Sequence, residues 1–163
     1  MSRSRPTVPP IPPQYPGATP YLTVRGADRA IEFYKAAFGA TEVACLAPGG
    51  RVMHAELRVG AAPFMLTEEM PQMGALSPAS LGGSASSAVI FVEDVDAFFA
   101  RALAAGCTQV MPVADQFWGD RMGCLKDPFG HSWMFSTHIE DVSPEDLPAR
   151  AAAAMAGAPQ PCN

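Results

Sequence analysis

Residues 24–39 read VRGADRAIEFYKAAFG, and residues 92–106 read VEDVDAFFARALAAG. Setting Val24 on Val92 sets Asp28 on Asp96, and one deletion later Gly39 falls on Gly106 and Val43 on Val110. Apolar residues recur at three- and four-residue steps in both: Ile31, Phe33, Tyr34, Ala37 and Phe38 in the first, Phe98, Phe99, Ala102 and Leu103 in the second. That period predicts two helices, capped by Asp28 and by Asp94 or Asp96 and stopped by Gly39 and Gly106.

Working outward, residues 21–24 form a short apolar strand before the first helix. Three strand-like stretches follow it: 41–46, 51–59 after the turn Pro48-Gly49-Gly50, and 63–67 after Gly60. In the second unit, residues 89–92 precede the helix, Gly130 matches Gly60, and 132–136 match 63–67. The repeat, about 68 residues long, predicts an α+β fold of two βαβββ modules. A four-stranded sheet with one helix covers only one of its faces. The expectation is that the two uncovered faces enclose a shared cavity between the modules, which is the candidate site.

The Pro-rich residues 1–16 suit an extended or unstructured arm. Residues 17–142 form one domain, with the first module at about 17–69, a Met-, Pro-, Gly- and Ser-rich connector or mobile flap at 70–84, and the second module at about 85–142. Residues 143–163 form an exposed or partner-packed tail, whose helix Pro148 is expected to interrupt.

With 163 residues, 17.2 kDa and 48% hydrophobic residues, the chain suits a single core. Sixteen acidic against 11 basic residues argue against nucleic acid as a partner. No apolar run approaches the roughly 20 residues of a membrane span. The N-terminus lacks the apolar segment of an export signal, and Cys45, Cys107, Cys124 and Cys162 share no metal-binding spacing. Free thiols in a cytoplasmic protein are expected.

Several strings sharpen the two-module pattern: ATPYLTV at 18–24, AIEFYKAAFGA at 30–40, MHAELRVG at 53–60, SPASLGG at 77–83, DQFWGDRMGCLKDPFGHSW at 115–133 and THIEDVSPE at 137–145. On these the sequence resembles the PhnB-like branch of the glyoxalase/bleomycin-resistance/dioxygenase, or vicinal oxygen chelate, superfamily. The resemblance implies a fold of paired βαβββ modules and a homodimer, sometimes with modules exchanged between chains. It also implies a divalent metal held by one ligand from the first and one from the last strand of each module, typically His and Glu. Here those positions fall on Thr19, Met65, Ser87 and Met134, and two hydroxyls with two thioethers do not suit such an ion. No cofactor is expected, and a divalent metal only through an atypical site.

Candidate site residues follow from strand alternation. In 51–59, Met53, Ala55, Leu57 and Val59 lie on one face and His54, Glu56 and Arg58 on the other. His54 and Glu56 are thus placed to share a proton or bind a ligand, although a solvated polar face gives the same pattern. Trp118, Asp120 and Arg121 combine an aromatic surface with both charges, as a small-molecule pocket does; a loop in which Asp120 pairs with Arg121 and Trp118 fills the core fits equally. Met65 and Met134 suit either a soft pocket wall or core packing, and Tyr21 either the cavity or strand-end packing. Residues 127–130 (DPFG) form a structural turn, and structural roles are expected for His131 and His138.

The leading expectation is a metal-independent protein binding a small organic molecule in the cavity, as in the superfamily's drug-sequestering members. The alternatives are a lyase, isomerase or dioxygenase with an atypical site using His54, Glu56 and Asp120, or a structural or regulatory subunit.

Overall fold

A computed structural model describes residues 8–15 and 17–157. The first module comprises β1 (Tyr21–Val24), α1 (Ala27–Phe38), β2 (Thr41–Leu46), β3 (His54–Val59) and β4 (Ala62–Glu68). After a short helix α2 (Pro78–Leu81), the second comprises β5 (Ser87–Phe91), α3 (Val95–Ala104), β6 (Thr108–Asp115), β7 (Asp120–Lys126) and β8 (Ser132–His138). A C-terminal helix α4 (Leu147–Gly157) follows. The sheets have matching orders, β1-β4-β3-β2 and β5-β8-β7-β6, with β1 parallel to β4, β5 parallel to β8 and the other pairs antiparallel. The two βαβββ modules inferred from the repeat are therefore present.

Each helix buries the stripe its sequence carries: Ala30, Ile31, Tyr34, Ala37 and Phe38 from α1, and Phe98, Phe99 and Ala102 from α3. Gly39 ends α1 at φ 63°, and its amide bonds the Tyr34 carbonyl. Asp94 caps α3 by accepting from the Ala97 amide at 2.9 Å. Asp28 does not cap α1; the Glu68 carboxylate, arriving from β4, accepts from the Gly26 and Ala27 amides at 3.0 and 2.7 Å. Pro148 does not interrupt α4 but lies in its first turn, where the missing N–H has no partner to lose.

The connector holds a helical turn at Pro71–Met73 and the short helix α2. Glu69, buried at its start, accepts from the Ser77 amide at 2.6 Å and from Arg25 at 3.2 Å. Cys45, Cys107 and Cys124 are free thiols; Cys162 lies outside the described residues, as do residues 1–7, Pro16 and 158–163 of the expected arm and tail.

The two modules meet differently from the expectation. Phe64 of β4 and Trp133 of β8, both on helix-bearing faces, touch at 5.3 Å between ring centroids. Tyr34 of α1 packs on both, at 5.3 and 5.6 Å, and Phe38 packs on Phe98 of α3 and Phe135 of β8 at 5.8 and 5.0 Å. One aromatic core thus joins the helix sides of both sheets. It consumes the space between the modules, so the uncovered faces point outward instead of enclosing a cavity within one chain.

Candidate functional site on the open sheet faces

In β3 the buried residues are Ala55, Leu57 and Val59, which turns His54, Glu56 and Arg58 to the open face. Register brings Glu56 beside Met65 of β4, and Met65 beside Tyr21 of β1. Tyr21 stacks on His54 at 5.6 Å and its hydroxyl lies 3.1 Å from His54 Nδ1. The other ring nitrogen, Nε2, is 3.2 Å from Glu56 Oε1. Glu56 Oε2 accepts from the hydroxyl of Tyr15, and Arg58 donates to the Gln14 carbonyl at 3.2 Å. The polar chain therefore runs Tyr15, Glu56, His54, Tyr21. The hydrogen bond from Tyr15, then that from His54, hold Glu56 below its usual carboxylate range, and the same bond raises the Tyr15 phenol. At neutral pH the pair is a carboxylate and a protonated phenol.

The second open face is softer. Met134 of β8 lies between Val89 of β5 and Cys124 of β7, with Met122 and Ser136 in the next row. Burial keeps Cys124 protonated by raising its thiol. The Ser136 hydroxyl is buried without a hydrogen-bond partner among the described residues. At the strand ends, Trp118 Nε1 donates to Asp120 Oδ2 at 3.0 Å, while His138 Nδ1 is 2.8 Å from Asp120 Oδ1 and its Nε2 is 3.0 Å from Asp141. Asp120, then Asp141, raise the His138 imidazole above its ordinary value. Phe117 stands edge-on to Trp118 at 4.9 Å.

Six of the seven sequence-derived residues thus divide between two faces: His54, Glu56 and Met65 on the first, Trp118, Asp120 and Met134 on the second. Arg121 is the seventh. Adjacent in β7 to Asp120, it points to the opposite, helix-bearing side and is held by Asp96 of α3 at 2.7 and 2.8 Å and by Asp115 at 2.7 Å. Asp120 pairs with Trp118 and His138 rather than with Arg121. His138 belongs to this network, and Tyr15 and Tyr21 to that of Glu56. The β7–β8 register could have found His138, since it pairs with Asp120; no local pattern marks Tyr15.

The implied metal set does not fit. Ser87 Oγ lies 3.8 Å from Met134 Sδ, a hydroxyl on a thioether, and the equivalent Met65 faces Tyr21 and Glu56. Among the described residues no group of three or more His, Cys, Asp or Glu side chains is placed to hold an ion. A cleft of about 910 Å³ opens at one end of the module interface. It is lined by Phe38, Val59, Phe91, Phe98, Arg101 and His138 among others, and by none of the seven sequence-derived residues.

A duplicated α+β chain with a shared aromatic core and two outward sheet faces defines a two-module protein. The model of the Glyoxalase/Bleomycin resistance protein/Dioxygenase superfamily matches residues 18–135, and the chain belongs to that superfamily. An uncharacterized protein of Mycobacterium bovis, Mb0911c, is 41% identical over 138 residues, covering 82% of this chain and 91% of its own length. The uncharacterized Mycobacterium tuberculosis protein Rv0887c is equally similar, at 41% over 82% of this chain and 81% of its own. Among solved structures, TioX from Micromonospora sp. ML1 matches with TM-score 0.61 and 26% identity over 78% of this chain and 99% of that one. The Arabidopsis thaliana At5g48480 gene product matches with TM-score 0.60 and 28% identity over 75% and 98%. No helix among the described residues is long and apolar enough to cross a membrane.

Proposed function

We propose that this chain is a PhnB-like, metal-independent binding protein, and that its cup for a small aromatic molecule forms between two copies. The first open face of one copy, with Tyr21, His54, Glu56 and Met65, faces the second open face of its partner, with Val89, Met134 and Trp118. The observation that carries this reading is the exposure of large apolar residues on the edge strands β1 and β5. Tyr21, Val89 and Phe91 are 53%, 54% and 60% exposed, whereas the helix-bearing faces are consumed by the core. Contiguous apolar surface on a sheet face marks an interaction site, and a closed two-fold pairing covers both faces of both chains at once. Thioethers and aromatic rings beside a few fixed polar groups suit an amphipathic aromatic ligand.

Titration with naphthalene- and quinoline-type compounds tests the reading through Trp118, which is only partly buried while Trp133 is enclosed. Saturable quenching that disappears in Trp118→Phe and weakens in Glu56→Gln is expected. Absence of saturable quenching across the panel would remove the proposal.

A further inference from the structure

Among residues 8–15, only Tyr15 is half-buried; the others, prolines included, are exposed. The arm therefore does not pack as a segment. It presents one side chain, and that side chain's hydroxyl goes to Glu56. A turn closed by the Tyr15 amide on the Pro12 carbonyl at 2.9 Å fixes its approach, and Arg58 holds the Gln14 carbonyl at 3.2 Å. Glu56 lies within the sheet between Ala44 of β2 and Met65 of β4, with 24% of its side chain exposed. A carboxylate so placed is costly to leave without donors, and Tyr15 supplies one of the two it has.

Resting on the open-face reading above, we propose that Tyr15 is a built-in ligand of the first face: the small molecule this face accepts is itself a phenol, and it binds by displacing Tyr15 from Glu56. The chemistry of the row selects that class. Glu56 repels a carboxylate ligand, and Arg58, two residues along the same face, disfavours an ammonium. A neutral ring with an O–H donor meets neither penalty and replaces the donor that leaves. Because the competitor is tethered, it acts at high effective concentration and lowers the apparent affinity of any free phenol.

Calorimetric titration of the full chain with 4-methylphenol tests this, with 4-methylanisole, which has the same ring but no donor, as control. Tyr15→Ala and Tyr15→Phe are both expected to bind 4-methylphenol about tenfold tighter than the unmodified protein, the equivalent of one hydrogen bond. Adding Glu56→Gln should cancel the gain, and 4-methylanisole should show no gain. Equal 4-methylphenol affinity with and without Tyr15, still weakened by Glu56→Gln, would overturn the built-in ligand while leaving the face as a site. Failure of 4-methylphenol to bind any variant, with other aromatics still quenching Trp118, would overturn the phenol class alone. If no compound binds any variant, both this inference and the open-face reading fall.

Discussion

Asp127→Ala is expected to lower the unfolding free energy by about 4 kcal/mol, because it strips the acceptor from buried donors at the joint between the modules. Asp127, itself buried, accepts from Tyr34 Oη of the first module at 2.7 Å and from Trp133 Nε1 of the second at 2.8 Å. It also accepts from the Phe129 and His131 amides, both at 2.9 Å, which holds the hairpin in the shape that lets the His131 ring reach the Thr23 carbonyl at 3.0 Å. Tyr34 and Trp133 are almost fully enclosed, so water cannot replace the lost carboxylate. Their desolvation dominates the effect, while the two amides account for a smaller part. Urea unfolding followed by circular dichroism measures it. Tyr34→Phe, which removes one donor and leaves no orphan, should cost much less. A loss under about 1 kcal/mol for Asp127→Ala would mean that the carboxylate does not join the modules.

Gly119→Ala is the second large effect, and it acts on the second open face. Gly119 sits at φ 97°, and a Cβ there would stand 2.0 Å from the Glu140 carbonyl oxygen, a backbone atom that cannot swing aside. Relief requires moving the strand end whose Ile139 and Glu140 amides donate to the Gly119 carbonyl at 2.9 and 3.0 Å. Backbone strain and overpacking together should cost about 3 kcal/mol, or roughly a 10 °C fall in melting temperature for a domain of this size. The Asp120–His138 contact, one residue away, should be lost as well. Gly60→Ala is the comparison: it also has positive φ, but no atom lies within 4 Å of its added Cβ. Its cost should be limited to about 1 kcal/mol of left-handed strain. Similar melting temperatures for the two variants would contradict this account.

The repeat was legible because helix and strand periods report which residues are buried. Those periods could not report which neighbour buries them. The stripe Tyr34, Phe38 is visible in the sequence, but its contact with Trp133 and Phe135 of the other module is not, and so the sequence alone points to the other pair of faces as the ones that meet. The cap on α1 shows the same limit: Asp28 has the right local position, yet Glu68, about 40 residues further on, reaches the free amides first. Strand alternation placed His54 and Glu56 correctly. The same alternation in β7 separates Asp120 from Arg121, since adjacent strand residues face opposite ways. Tyr15 lies in a Pro-rich leader without periodicity, and only the fold shows where it docks.

Completion of the cup by a second copy is the central claim, and sedimentation equilibrium of the unmodified protein beside Val89→Glu tests it most directly. Val89 is exposed halfway along β5, the edge strand of the second sheet, next to Met134, so a charge there should not disturb the core. The account predicts twice the 17.2 kDa chain mass for the unmodified protein and a single chain mass for a still-folded Val89→Glu. An unmodified protein that sediments as a single chain while retaining saturable ligand quenching would contradict it.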